Sequence, residues 1–328
     1  MNQFERRELK QQAQQTIAGA SCRPGRLVLI HTALSSGLTL LLALVSLLLD
    51  QKIAGTTGLG GMNSRAFLET IQSVLNMATL VVLPFWGMGL VFVFLRISRY
   101  EGAQPQDLLQ GFRYFGPVLR GKLLQVLVIA GAAVLGGYLG MFVYSMTPLS
   151  SSLYTVMEQH MVDGVLDYAA AMEDPVFLEA AIWSLPIMML GAAVFVLPLY
   201  YRLRLMDYIL MDRPEKGAMY AMRFSKYVMR GHRWELFRVD LHFWWFYLLE
   251  ALVLLVGYGD MILPMINVDL GVSQTVAFFL FYILALVGQL CLYVWKRPLL
   301  LAVYARYYDM VRPKPQMDED AQEVSYEM

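Results

Sequence analysis

The chain is short of charge. Only 16% of its residues are Asp, Glu, Lys or Arg, against 58% apolar, whereas a soluble domain carries about 25% charged residues. The 328 residues would by length make roughly two soluble domains, but this shortage and the long apolar runs exclude that reading. Net charge is zero, so bulk charge attracts no nucleic acid. Cysteine is scarce as well. Cys22 and Cys291 show no CxxC spacing and read as two free thiols, with no disulfide framework and no zinc site. His31, His160, His232 and His242 fall into no HExxH or other ligand spacing. Glu158 with His160 is too little for a metal site. The glycine-rich stretch Ala54 to Gly61 has neither GxGxxG nor a Walker lysine, and no GxSxG element occurs. No metal and no cofactor is expected, and the chain reads as non-enzymatic.

What is present is apolar length. Leu27 to Leu49 is an uncharged run longer than the about 7–15 residues of a signal-peptide core, and it reads as a first membrane helix that also serves as signal anchor. Runs of about 20 apolar residues cross about 30 Å of hydrocarbon. On that basis spans are predicted at about 27–49, 71–95, 123–146, 180–201, 241–256 and 274–295. The expected fold is therefore an all-α membrane protein. A six-transmembrane-helix bundle over 27–311 follows a polar segment at 1–26 and precedes a disordered tail at 312–328. Amphipathic helices lying in the interface are expected at the N-terminus, over Arg96 to Lys122, and from Pro298 to Met310. Gly136 and Gly140 form a GxxxG pattern, which lets another helix approach closely. Prolines 84 and 186 interrupt spans, as membrane helices tolerate.

Charge sets the expected orientation. Of the 26 lysines and arginines, only Lys52 and Arg65 fall on one set of alternate connections, and all the others fall on the opposite set. Basic residues stay inside, so the reading is a bacterial cytoplasmic membrane crossed six times, with both termini cytoplasmic. The densest basic stretch runs from Arg202 to Phe243. Its candidates for contact with anionic lipid headgroups, or with a membrane or cytosolic protein partner, are Arg202, Arg204, Arg223, Lys226, Arg230, Arg233 and Arg238. Enforcing topology is the plainer role for the same residues.

Inside the membrane, Glu250 stands out in the middle of the fifth span. An ionisable group at that depth costs several kcal/mol unless it is protonated, paired or facing water. It could carry a proton or cation or touch a substrate. It could equally be a protonated acid bonded to a neighbouring helix, with Gln289 and Asn76 as the candidate partners. The GxGD of Gly257 to Asp260 resembles one aspartate site of the intramembrane aspartyl proteases. That chemistry needs a second carboxylate, and no matching membrane aspartate follows a tyrosine, so a helix-ending glycine turn is the plainer reading.

Several stretches resemble one family. Ala221 to Ser225 (AMRFS), Met229 to His232 (MRGH), Glu235 to Phe237 (ELF) and Leu241 to Trp245 (LHFWW) are similar to its pattern, as are Arg297 to Leu299 and the closing Tyr304 to Asp309 (YARYYD). Glu8 to Ala13 is similar to its opening segment. The family is domain of unknown function nine-seven-five. The resemblance implies an integral bacterial membrane protein and brings no activity. Glu250 departs from it, since an apolar residue or glycine is more typical there.

Two functions remain in view. One is a non-enzymatic protein that binds lipid or partner proteins through its basic face. The alternative is a small transporter or export factor using Glu250, which six spans would carry out as a homo-dimer. A cavity reaching Glu250 would favour transport, and a close-packed core would favour the first.

Overall fold

The computed structural model describes residues 3–55, 62–162, 165–166, 174–265 and 271–312. The tail beyond 312 and the centre of the glycine-rich stretch lie outside these. The helices in chain order are α1 (Gln3–Ala18), α2 (Pro24–Gly55), α3 (Met62–Ser98), α4 (Gln110–Arg113), α5 (Phe115–Ser145), α6 (Pro148–Gln159), α7 (Pro175–Leu203), α8 (Met206–Asp212), α9 (Gly217–Val228), α10 (Arg233–His242), α11 (Trp244–Gly257), α12 (Gly259–Met265) and α13 (Gln274–Val311). The described residues add 3₁₀ turns and a two-residue antiparallel pair, β1 (Met161–Val162) with β2 (Val165–Leu166). Among the described residues, five stretches are helical, long and apolar enough to cross a membrane, or six if α10 and α11, bent by 62°, count as one span. The protein is an all-α membrane protein, as its apolar runs lead one to expect.

The chain divides into two compact units, each described by itself. The first comprises Met1–Gly121, Leu205–Phe224 and Trp234–Met328. Its α3 packs against the following 3₁₀ turn, Pro105–Leu109, backbone to backbone. A Cβ on Gly89 would lie 1.8 Å from the Leu108 carbonyl oxygen, and one on Gly111 would lie 2.0 Å from that of Phe85. Phe85 then stacks between Phe112 and Phe115, at centroid distances of 5.5 and 4.8 Å. Here the structure differs from the single interfacial helix expected over Arg96 to Lys122. The segment is broken into a 3₁₀ turn and α4, because Pro105 starts a new turn and Leu108 is buried against α3 rather than laid on a surface.

At the C-terminal end of α3 a charged cluster joins three helices. Arg99 Nη1 donates to Asp212 Oδ1 at 2.6 Å, and Arg99 Nη2 donates to Asp309 Oδ1 at 2.9 Å. Arg312 Nη1 and the Tyr308 hydroxyl both donate to Asp212 Oδ2, at 2.8 and 2.9 Å. Ser98 Oγ completes the shell of Asp309 at 2.7 Å. Burial works against the Arg99 charge, but the hydrogen bonds and charges of Asp212 and Asp309 outweigh it and push the guanidinium further above its ordinary range. Nearby, Arg96 pairs with the buried Asp107 at 2.7 Å.

Helix α13 runs unbroken for 38 residues through Pro298. At 1.5 Å per residue it reaches about 57 Å, so the interfacial helix expected after Pro298 is a continuation of the span. Leu9 and Ala13 of α1 are buried, and Arg306 of α13 donates to Thr16 of α1 at 3.0 Å. The N-terminal helix is thus docked onto protein. The fifth span differs as well. Its helix starts at Trp244 after a break at Phe243, and the preceding basic segment forms α10.

The second unit comprises Lys122–Arg204 and Ser225–Arg233. The GxxxG pattern does here what small residues do in membranes. Added Cβ atoms on Gly136 and Gly140 would lie 2.5 Å from the Gly191 carbonyl oxygen and 2.7 Å from that of Ile187, so α5 and α7 touch through their backbones. The Tyr144 hydroxyl donates to the Ala180 carbonyl at 2.9 Å. Outside the glycine seam, Leu127 and Leu135 of α5 and Met189 and Leu190 of α7 are exposed, as lipid-facing residues are.

Two substitutions test these contacts. Gly89→Ala should destabilise by about 1–3 kcal/mol or more, since backbone must move to admit the methyl group. An unchanged thermal unfolding midpoint of the purified protein in detergent would contradict the close approach. Arg99→Ala should cost about 3 kcal/mol, the low end for a broken buried pair, because the Arg99 side chain is 29% exposed. Arg99→Lys should recover only part of it, since one ammonium does not reproduce the two-pronged bonding.

Candidate functional site

Small residues bring α11 and α12 onto α13. A Cβ on Gly288 would come 3.2 Å from Val253, one on Gly257 would come 3.3 Å from Ala285, and one on Gly259 would overlap the Phe281 ring at 2.5 Å. Beside this seam lies a pocket of about 770 Å³, all within the first unit. Its wall includes Ser36 and Thr39 of α2, Glu250 and Tyr247 of α11, Asp260 of α12, and Gln289 and Tyr293 of α13. That volume falls within the range of about 300–1,000 Å³ usual for small-molecule sites.

The acid is held in place by a tyrosine. The Tyr293 hydroxyl donates to Glu250 Oε1. Gln289, one turn earlier on α13, hydrogen-bonds the same hydroxyl. Gln289 therefore stands beside Glu250, one tyrosine removed. The Asn76 side chain lies outside the described residues. Arg297 caps the far face of the Tyr293 ring at 4.0 Å. Tyr304 spends its proton on Asp240, so Tyr247 is the donor in their 2.9 Å hydroxyl pair. At the other wall, the Tyr282 hydroxyl reaches the Ser36 carbonyl at 3.4 Å.

Among the described residues Glu250 forms no ion pair, and Tyr293 is its hydrogen-bond donor. A carboxylate in a low-dielectric region with one neutral donor is only partly compensated. Such a group can attract an approaching cation, and the surrounding tyrosine and phenylalanine rings offer further faces for one. Asp260, 9% exposed, lines the same pocket. Among the described residues no cluster of three or more metal-ligating side chains occurs. Sequence reasoning found Glu250 and Gln289 but missed Tyr293, Tyr247 and Tyr282. The available signal was Gln289 and Tyr293 at i, i+4, which puts both on one helix face.

The basic candidates are divided between the two units. Arg202, Arg204, Lys226, Arg230 and Arg233 belong to the second unit, whereas Arg223 and Arg238 belong to the first. Arg204 is engaged by the Tyr200 hydroxyl and ring. Arg223, Arg230 and Arg238 are exposed.

The helices and this pocket define a membrane-embedded all-α protein with a mostly apolar pocket between helices that reaches Glu250 and Asp260. The chain belongs to the family described as Protein of unknown function (DUF975), whose family model matches residues 1–312. No curated protein matches the chain, and no solved structure does.

The acid–tyrosine pair makes a measurable contribution. Tyr293→Phe should lower stability by about 1 kcal/mol, the low end of the cost of leaving a polar group without its hydrogen bond, because Glu250 is half-buried. Glu250→Gln should cost less, because the amide still accepts from Tyr293. Equal unfolding midpoints for wild type and Tyr293→Phe would contradict the pairing.

Proposed function

We propose that this is a multi-pass protein of the bacterial cytoplasmic membrane that binds a small molecule in the pocket around Glu250, as a small transporter or export factor does. The observation that carries the reading is the pocket itself, which reaches an incompletely compensated carboxylate in the middle of an apolar helix. The role is binding and passage rather than bond-making chemistry. Basic segments face the cytoplasm in this reading, with both termini inside, and two copies working together would supply a complete path.

A second reading draws on a different observation. The Nε atoms of Arg202 and Arg233 are buried and have no hydrogen-bond partner, which supports contact with anionic lipid or an acidic partner through the basic end.

Cysteine accessibility tests the first reading. With Cys22 and Cys291 replaced, single cysteines at Ala251 and Leu254 line the pocket, while one at Leu248 does not. In intact cells a membrane-impermeant thiol reagent should label positions 251 and 254 and leave 248 protected. Protection at both pocket positions would remove the transport reading and leave Glu250 as a structural acid.

A further inference from the structure

The second reading can be taken to a defined site, and the inference below rests on it. Within the second unit, Arg202 lies in the last turn of α7, and Arg230 and Arg233 flank the turn between α9 and α10. Gly231 makes that turn with φ of 91°, a conformation glycine adopts without strain. Ser225 Oγ donates to the Arg202 carbonyl at 2.8 Å, tying the second strand of chain to the end of α7. Arg202 and Arg230 thereby lie within electrostatic reach of Arg233, and burial first, then their two charges, work against the Arg233 charge.

None of the three has a salt bridge to an acid among the described residues, and the Nε–H groups of Arg202 and Arg233 are buried without an acceptor. This is an expensive arrangement. Buried polar groups are hydrogen-bonded in nearly all proteins, and like charges held together destabilise the fold that holds them. A guanidinium presents its donors in a fixed fork that matches the oxygens of a phosphate or carboxylate. Three guanidinium groups call for an acceptor with several oxygens and more than one lone pair to offer each donor. A phosphate group meets that need, and a single carboxylate has too few oxygens for all three.

We propose that Arg202, Arg230 and Arg233 form a binding site for a phosphate group, with the buried Nε–H groups of Arg202 and Arg233 as donors and Arg230 at the exposed rim. The phosphate belongs either to an anionic lipid headgroup or to a soluble anion. The site differs from a topology signal in one respect: a topology signal needs exposed positive charge, whereas these donors are withdrawn from water.

The test uses the full-length protein in phosphatidylcholine nanodiscs, with thermal unfolding as the readout. Phosphatidylglycerol added to the bilayer, or inorganic phosphate added to the buffer, should raise the unfolding midpoint. A response to the lipid alone assigns a headgroup, and a response to phosphate as well assigns the soluble anion. Arg233→Gln and Arg202→Gln should unfold no earlier than wild type without anion, because each removes an uncompensated charge, and each should weaken the anion response at least tenfold. Arg113→Gln, which removes an exposed arginine of α4, should respond as wild type does. If Arg233→Gln instead unfolds earlier and keeps the full response, the arginine is structural and the site falls. Loss of the response only in Arg223→Gln or Arg238→Gln would overturn this site but keep the broader lipid-binding reading. Absence of any response in wild type would overturn both.

Discussion

The first unit depends on the bonds of one guanidinium. Arg99 ends the apolar run of α3 and grips Asp212 from α8 and Asp309 from α13 at once. Each of these helices arrives from a different part of the chain, so no local rule aligns them. Charge-assisted bonds of 2.6–2.9 Å fix distance and direction together. Arg312 supplies the second cation, so two cations face two acids, and the cluster is balanced. Balance is what makes burial tolerable here, because a buried pair missing one partner costs more than the pair itself is worth.

Around that grip, the last turns of α13 act as a hub. Tyr304 bonds Asp240, Arg306 bonds Thr16, Tyr307 reaches Glu235 at 3.4 Å, Tyr308 bonds Asp212, and Asp309 bonds Arg99. Successive side chains of one helix point in directions about 100° apart. A run of polar and aromatic residues can therefore contact α1, α8, α10 and the end of α3 in less than two turns. This gives a physical reason for the YARYYD element by which the chain resembles its family: its residues are the fasteners of the unit, and none lines the Glu250 pocket except through the Tyr304–Tyr247 pair.

The same physics explains what was legible in the sequence. Apolar length exposes the membrane helices, and Gly136 with Gly140 exposes the α5–α7 seam, because both signals are local. Glu250 is legible for the same reason, as a single charge in an apolar run. Its partner Tyr293 is not, since their pairing depends on how α11 and α13 cross, which the Gly257, Gly259 and Gly288 contacts decide. The break at Phe243 and the folding of Pro105 to Arg113 onto α3 were equally hidden. Each follows from tertiary contacts that override a helical apolar spacing. The Arg99 cluster was invisible because its members are scattered over the chain and each, alone, reads as a solvated charge.

Charge balance then separates structural polar groups from functional ones. Arg99, Arg312, Asp212 and Asp309 neutralise each other, and no ligand is needed to explain them. Among the described residues, Glu250 has a neutral donor and no ion pair, and Arg202, Arg230 and Arg233 have no salt bridge to an acid. An imbalance of either sign lowers stability, and it persists where binding something else repays it. The two imbalances are opposite in sign. A pocket lined by the carboxylates of Glu250 and Asp260 attracts cations, and a trio of arginines attracts oxyanions, so one ligand class cannot account for both. The two proposals therefore call for two different recognition chemistries, a cation-attracting one in the pocket of the first unit and an oxyanion-binding one at the basic end of the second unit.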